Sequence, residues 1–352
     1  MRDSPSSLLL AWYDKHSRRM PWRIGPQDRQ GGVKPNPYHV WLSEVMLQQT
    51  QVTTVAEYFG KFLLKWPELT DLAAADTEDV MKAWAGLGYY SRARNLKKCA
   101  DMLVRDFAGK YPETAVELKK LPGIGDYTSA AIAAIAFDES AAVVDGNVER
   151  VICRLHEIET PLPKAKAEIS AIVAEMVPHH RPGDFAQAMM DLGATICTPK
   201  RPACALCPMN ASCKAYNSGS QENYPVKAAK KDKPLRTGSA YVAIRKDGAV
   251  FLRRRPDHGL LGGMSEVPTT EWTVGPAIEG AGDAPFPGNW EKAGLVRHTF
   301  THFHLELTVW RAKEVQSTSM ENGRWSQSEK LADEALPTVM KKVIVTAIPD
   351  IF

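Results

Sequence analysis

The sequence predicts an all-α domain followed by a smaller α+β domain. Two observations carry that expectation. Apolar residues recur at three- and four-residue spacing up to position 217, and strand-like runs replace them after position 237. Between the two, SGSQENYPVKAAKKDKPLR (218–236) is polar, basic and proline-containing, and reads as a linker. The expected boundaries are therefore 1–217, 218–236 and 237–352, and 352 residues is the length of two domains.

The elements follow in chain order. Residues 24–37, IGPQDRQGGVKPNP, are rich in glycine and proline and predict a surface loop. WLSEVMLQQTQVTTVAEYFGKFLLKW (41–66) has the helical period, as do 77–88, 92–107 and YTSAAIAAIAF (127–137). Helical patterns continue over 147–158 and 167–177. Beyond the linker, SAYVAIRKDGAVFLRRRP (239–256) predicts two strands turning at Lys246-Asp247-Gly248, and RHTFTHFHLELTVWRAKEV (297–315) predicts further strand. There is no internal repeat.

Composition narrows the class. At 44% hydrophobic and 24% charged residues the chain is globular rather than disordered or fibrous. No run of 18 apolar residues predicts a membrane span, and the first residues are too weakly apolar for a secretory signal. A reducing, cytoplasmic setting is expected, where cysteines act as thiols, ligands or nucleophiles. The formal charge of +3 excludes little. It is +1 over residues 1–220, +3 over 221–236 and −1 over 237–352, so the excess sits in the linker.

Four of the six cysteines, Cys197, Cys204, Cys207 and Cys213, are spaced C-x6-C-x2-C-x5-C. That spacing allows one metal centre, either zinc or a [4Fe–4S] cluster; disulfides fit less well. Cys99 and Cys153 lie in helical patterns and read as buried small hydrophobes. LPGIG (121–125) joins two helical patterns. Such a turn can present backbone N–H groups to a phosphate, or it can be an ordinary helix–helix turn with Asp126 as N-cap.

Hairpin, cysteine spacing and the intervening DGNVERV together resemble the helix-hairpin-helix DNA glycosylases of the endonuclease III superfamily. Within it, SEVMLQQTQV (43–52), GLGYYSRARNL (86–96) and HTFTHFHLEL (298–307) are similar to the MutY-type adenine DNA glycosylases, over nearly the whole chain. The resemblance implies a helix-hairpin-helix glycosylase domain with a [4Fe–4S] module on Cys197, Cys204, Cys207 and Cys213, followed by a Nudix-like domain. It also implies a substrate: double-stranded DNA carrying adenine opposite 8-oxoguanine or guanine, bound by a monomer and not by a membrane-associated protein.

The resemblance assigns roles residue by residue. Glu44, a carboxylate amid apolar neighbours, matches the general acid, since burial would keep a proton available for the adenine ring. Read from its residues alone, it is equally a solvated helix-face glutamate. Asp145 matches the carboxylate that stabilises the sugar cation, although from sequence alone an N-cap describes it better. Asn147 would orient Asp145 or contact the sugar. Tyr127 stands where bifunctional relatives place a Schiff-base lysine, which implies a monofunctional enzyme. Gln49 and Tyr89 match residues that wedge into the duplex; their plain readings are a helix-surface Gln and a partly buried Tyr. Leu121, Gly123 and Gly125 would form the DNA-binding hairpin, and Trp22, Arg23 and Gln187 match positions lining the base pocket.

In the second domain Phe300, Thr301 and His302 match the family's Phe-Ser-His loop that recognises 8-oxoguanine, with threonine keeping the hydroxyl. On residues alone, His298, His302, His304 and Glu306 share one strand parity and could bind a metal. Ser265-Glu266-Val267-Pro268 replaces a Trp-Glu-Phe-Pro common in relatives. The glutamate-rich metal-binding box of Nudix hydrolases is missing, so pyrophosphatase activity is not expected. A strand-nicking enzyme acting on oxidised pyrimidines and a non-enzymatic binder of damaged DNA are the competing functions; Tyr127 argues against the first, and the carboxylates at 44 and 145 against the second. With thiolates ligating a cluster, the helical domain is near neutral or slightly acidic. DNA contacts are therefore expected from a localised stripe: the linker, the LPGIG amides, Arg92, Arg94, Lys200 and Arg201.

Overall fold

The computed structural model describes residues 4–228, 232–256, 258–276, 280–281, 283–316 and 323–352. Its helices are α1 (Pro5–His16), α2 (Pro26–Gln30), α3 (Pro37–Leu47), α4 (Val52–Lys65), α5 (Leu69–Ala74), α6 (Thr77–Ala83) and α7 (Ser91–Phe107). They continue as α8 (Ala115–Leu118), α9 (Asp126–Phe137), α10 (Gly146–His156), α11 (Lys166–Met176), α12 (Pro182–Thr195) and α13 (Lys214–Asn217). The strands are β1 (Leu235–Ala243), β2 (Val250–Arg254), β3 (Ser265–Glu266), β4 (Thr273–Val274), β5 (Glu291–Thr299), β6 (His304–Ala312) and β7 (Gly323–Ser326), and α14 (Thr338–Ala347) ends the series. The chain forms two compact units, residues 1–74 with 95–229 and residues 75–94 with 230–352. Among the described residues no helix is long and apolar enough to cross a membrane.

The first unit is helical, and its centre is α9 against α12. From Thr128 to Ile135 every side chain of α9 is buried, and from Pro182 to Gly193 every residue of α12 is buried. A helix apolar on all faces must be surrounded: α3, α8 and α12 pack on α9, while α1 and α10 pack on α12. Starts are set by local chemistry. Asn36 caps α3 by accepting from the Tyr38 amide, and proline occupies its first turn. Gly125, not Asp126, is the N-cap of α9, and no side chain caps that end.

Several sequence expectations change here. The pattern over 41–66 is two helices, α3 and α4, because Gln49 between them adopts φ 60° and no regular helix continues through it. The pattern over 77–88 stops at Ala83, because Gly86 and Gly88 are left-handed. The expected 24–37 loop contains α2. Its Arg29 side chain is buried, donating to the Ile135 carbonyl and pairing with Asp138 and Asp184. In the expected linker, Leu162 and Val226 to Ala228 exchange backbone hydrogen bonds, and Leu235-Arg236 already belongs to β1.

The second unit has two sheets. One has the order β4-β1-β6-β5, with β1 parallel to β6 and the other pairs antiparallel; the other is antiparallel, in the order β3-β2-β7. The expected strands of 239–256 are present and turn where predicted, but they enter different sheets and meet only at an Ile244–Val250 bridge. Residues 297–315 are not one strand. They hold the end of β5, a four-residue turn from Phe300 to Phe303, and β6. The turn breaks the parity on which the metal-binding reading depended. Helix α14 covers β5, β6 and β1, burying Val339, Met340, Val343, Ile344 and Ala347 with Leu305, Leu307 and Val309.

A smaller cluster of Phe251, Phe286 and Trp325 packs edge to face beside this core. Gly323 lies against it, and a methyl group there would sit 2.1 Å from Phe251 Cζ. Overpacking of a closed core costs about 1–3 kcal/mol. Gly323→Ala is therefore expected to lower the unfolding free energy of this unit by that amount, read as a lower urea midpoint, and an unchanged midpoint would show that the ring is free to move.

Candidate active site

A cavity of about 490 Å³ lies wholly in the first unit. Helix α3 contributes Glu44, the first turn of α9 contributes Tyr127, and Asp145 and Asn147 stand at the start of α10. Trp22 and Arg23 line it from the segment after α1, Gln49 from the break between α3 and α4, and Met190 from α12. The fold thus gathers residues from five separate stretches of sequence.

Glu44 is only 4% exposed. Its neighbours Trp41, Leu42, Ser43, Val45 and Met46 are buried too. Burial pushes its carboxyl pKa up. A hydrogen bond from Tyr127 and the charge of Arg23 oppose that rise, and the nearby Asp145 charge adds to it. The Tyr127 hydroxyl donates to Glu44 Oε2 at 2.7 Å. Burial, reinforced by Glu44 and Asp145, pushes the Tyr127 hydroxyl well above the usual phenol range, so it stays a donor.

Asp145 is the N-cap of α10, and it also faces the cavity. Its Oδ1 accepts from the amides of Asn147 and Val148, at 2.9 and 2.8 Å, and its Oδ2 accepts from Asn147 Nδ2 at 2.8 Å. Three N–H donors hold the carboxylate in one orientation. Asn147 is held in turn: Arg150 Nη2 donates to its Oδ1, and Gly193 of α12 is close enough that a Cβ would lie 2.6 Å from Asn147 Cβ.

Sequence reasoning missed Asp191. It is fully buried, and it accepts from the amide and Nε of Arg18 and from Nη1 of Arg23. This clamp fixes the arginine that faces Glu44. The signal was available in the apolar run MMDLG, a pattern like that of WLSEVML. Gln48, also missed, lines the cavity and donates to Thr128 Oγ1. Gln187 does not line the cavity; it is buried on α12, and its Nε2 donates to the Gly183 carbonyl.

The hairpin joins α8 to α9. Leu121 is buried and anchors it, Gly123 turns at φ 77° against Asn95, and Gly125 opens α9 with its first amides uncapped. Gln49 and Tyr89 both have positive φ, at 60° and 48°. Bulky residues held there are strained, and such strain concentrates at functional positions. Arg92, expected at the DNA, is instead buried, because its guanidinium donates to the carbonyls of Leu87 and Gly88. Arg94 donates to the Gly262 carbonyl, while Lys200 and Arg201 are exposed.

The four cysteines Cys197, Cys204, Cys207 and Cys213 form no disulfide and line one small cavity of about 30 Å³. Arg154, 1% exposed, donates to Cys197 Sγ and to the carbonyls of Thr198, Pro199 and Tyr224. That guanidinium places a buried positive charge beside the sulfurs. Cys99 and Cys153 are buried, as expected.

Within the second unit, Phe300 stacks on Phe303 and Trp272, Thr301 is exposed with its hydroxyl 3.2 Å from the Tyr89 hydroxyl, and His302 is exposed. A cavity of about 470 Å³ lies between this turn and the Tyr89 segment. His304 is hydrogen-bonded to Thr299, and Glu306 pairs with Arg297. Among the described residues no three His, Cys, Asp or Glu side chains converge to hold one metal ion, so the histidine-strand site is not formed. Glu266 is buried between Arg253 and Arg255, which gives it a structural role.

Fold and cavity define a class. Residues 42–179 match the HhH-GPD superfamily of base excision DNA repair proteins, and residues 240–346 match the NUDIX domain. A solved thermostable thymine-DNA glycosylase is 30% identical at TM-score 0.54, over 60% of this chain and 95% of that one. An endonuclease III solved with DNA shares the fold at TM-score 0.50 and 23% identity, over 61% of this chain and 94% of that one. The adenine DNA glycosylase of Homo sapiens is 37% identical over 95% of this chain and 72% of its own length. That of Buchnera aphidicola subsp. Schizaphis graminum is 31% identical over 96% and 97%. The chain belongs to the adenine DNA glycosylase family, and it is a DNA glycosylase, an enzyme that hydrolyses N-glycosyl bonds.

The raised pKa of Glu44 has a thermodynamic sign. The folded protein holds this proton more tightly than the unfolded chain does. The resulting stabilisation is complete below the ordinary glutamate range and is lost as pH rises through the folded value. Glu44→Gln removes the titration. Its melting temperature is expected to gain on that of the native protein as pH rises above the ordinary glutamate range, and parallel curves would show that Glu44 titrates normally.

Proposed function

We propose that the enzyme removes adenine paired with 8-oxoguanine, or with guanine, from duplex DNA, and does so without cutting the strand. The observation that carries this reading is one cavity lined by a buried glutamate, an aspartate held by three N–H donors, and a tyrosine hydrogen-bonded to the glutamate. A base inside a duplex cannot reach such a cavity, so the nucleotide must be flipped out.

Once the base is seated, the protonated Glu44 delivers its proton to a ring nitrogen of adenine. The electrons of the breaking C1′–N bond then pass to a neutral leaving base. Asp145, held by Asn147 and the α10 amides, stabilises the developing sugar cation from its own side, and water completes the hydrolysis at C1′. Two carboxyl groups in contrasting environments divide the acid and stabilising roles, as in glycoside hydrolysis. Tyr127 keeps Glu44 oriented. It has no amine with which to form a Schiff base, so the strand is not cleaved. Trp22 and Arg23 contact the base.

Outside the cavity, the uncapped start of α9 at Gly125, with Gly123 and the anchored Leu121, receives a phosphate. Gln49 and Tyr89 wedge into the space around the flipped nucleotide. Phe300, Thr301 and His302 read the opposing 8-oxoguanine. Cys197, Cys204, Cys207 and Cys213 hold a [4Fe–4S] cluster. The four sulfurs line one cavity beside a buried arginine, a setting in keeping with a cluster held by four cysteines. When bound, the cluster cross-links residues 197–213 through four thiolates. Cys207→Ser is expected to lose the visible Fe–S absorbance and to lower thermal stability; full retention of both would remove Cys207 from the ligand set, and a native protein without that absorbance would remove the cluster from this account.

The decisive experiment is a labelled duplex with one adenine·8-oxoguanine pair. Alkali after incubation should reveal an abasic site at the adenine, and borohydride should trap no covalent complex. Glu44→Gln and Asp145→Asn should keep duplex affinity and lose turnover by at least about a hundredfold, the lower end for general acid–base catalysis. Release of an oxidised pyrimidine with strand nicking would favour the endonuclease III-like activity instead.

A further inference from the structure

We infer that Arg92 is a positioning residue for Tyr89, holding that aromatic ring ready to enter the duplex; this rests on the wedge role proposed above for Tyr89. The inference comes from how the segment from Trp84 to Arg92 is built. It makes a turn in which Gly86, Gly88 and Tyr89 all have positive φ, at 105°, 72° and 48°. Glycine accepts that conformation readily and tyrosine does not. Something outside the local backbone must hold Tyr89 there.

The buried Arg92 side chain occupies the centre of this turn. It is 7% exposed. Its Nη2 donates to the carbonyls of Leu87 at 2.9 Å and Gly88 at 3.1 Å, the two residues leading into Tyr89. Its own amide donates to the Tyr89 carbonyl at 2.8 Å. The guanidinium carbon lies 5.1 Å from the Trp84 ring centre and 5.8 Å from that of Tyr89. Trp84 Nε1 donates to the same Gly88 carbonyl, at 3.1 Å, so that oxygen is held from two directions. The peptide group that sets the direction of Tyr89 is thus fixed, while the Tyr89 ring remains 52% exposed. An exposed ring on a rigid backbone is pre-paid for insertion, because little freedom is left to lose on binding.

Burial pulls the Arg92 pKa down to about 10, still far above neutrality, so the planar cation persists. A lysine supplies charge but neither the two-pronged fork nor the flat face that lies beside the rings. A methionine supplies neither charge nor donors.

A mutant cycle on the full-length enzyme tests this. Single-turnover rates on adenine·8-oxoguanine duplex are measured for Tyr89→Ala, Arg92→Met, Arg92→Lys and each double variant. 2-Aminopurine beside the lesion reports unstacking. Tyr89→Ala is expected to lower both signals about tenfold, a modest share of the unstacking cost. Arg92→Met should match it, Arg92→Lys should fall between, and neither should add to the loss in the Tyr89→Ala background. The slope of log affinity against log salt should stay unchanged, since a lost phosphate contact would reduce it by about one.

Additive losses would overturn the inference, because Arg92 would then support the fold alone. So would a reduced salt slope, which would make Arg92 a phosphate contact. A silent Arg92→Lys and Arg92→Met beside an impaired Tyr89→Ala would overturn the inference and leave the wedge reading intact. A silent Tyr89→Ala would remove the wedge reading itself, and this inference with it. If Arg92→Met does not fold, the Arg92→Lys arm carries the same comparison.

Discussion

Glu44 stands on a helix whose neighbouring side chains, from Val40 to Met46, are packed away from water, and the other groups of the cavity answer to that burial. An ionised carboxylate there would be expensive without a partner, so the group is held towards its neutral form. Tyr127 is oriented by it. Arg23, close enough to oppose the shift, is itself neutralised by Asp191, which also holds Arg18. The arrangement keeps a proton inside the protein without stranding a charge. It needs α9 and α12 to be buried on every face, because only then can α3 be enclosed while the starts of α9 and α10 reach the same cavity.

The two carboxyl groups illustrate what environment does to one functional group. Glu44 sits among hydrocarbon with a single hydroxyl donor; Asp145 sits at a helix start with three N–H donors. Their chemical difference was created by where the chain placed them. The same contrast separates Glu44 from Glu266. Both are buried, but Glu266 lies between two arginines and is held as a structural ion pair.

How much of this was legible in the sequence depended on the range of the interaction involved. A carboxylate in an apolar run and glycines between helices are local signals, and Glu44 and the hairpin could be singled out from them. Asp191 carried the same local signal and was passed over, because its partners, Arg18 and Arg23, lie 168 or more positions away. The break at Gln49 could not be seen in apolar periodicity, which runs straight through it; only the left-handed backbone marks it. Arg92 was read from its charge as a DNA contact, whereas its surroundings are two carbonyls and two rings contributed by a turn that periodicity does not describe. The strand-like run over 297–315 hid a hairpin, since its turn from Phe300 to Phe303 is built from aromatic and polar residues rather than glycine and proline.

Asp145 serves two masters with one side chain. As an N-cap it contributes about 1 kcal/mol to the start of α10, and asparagine, serine or threonine would do that work nearly as well. Selection for a folded protein alone would therefore tolerate several residues at this position. Under the proposed role, selection for base removal tolerates one. The position is thus one where abundance and activity come apart: a library sorted for soluble protein would keep substitutions that a library sorted for mutation avoidance would discard.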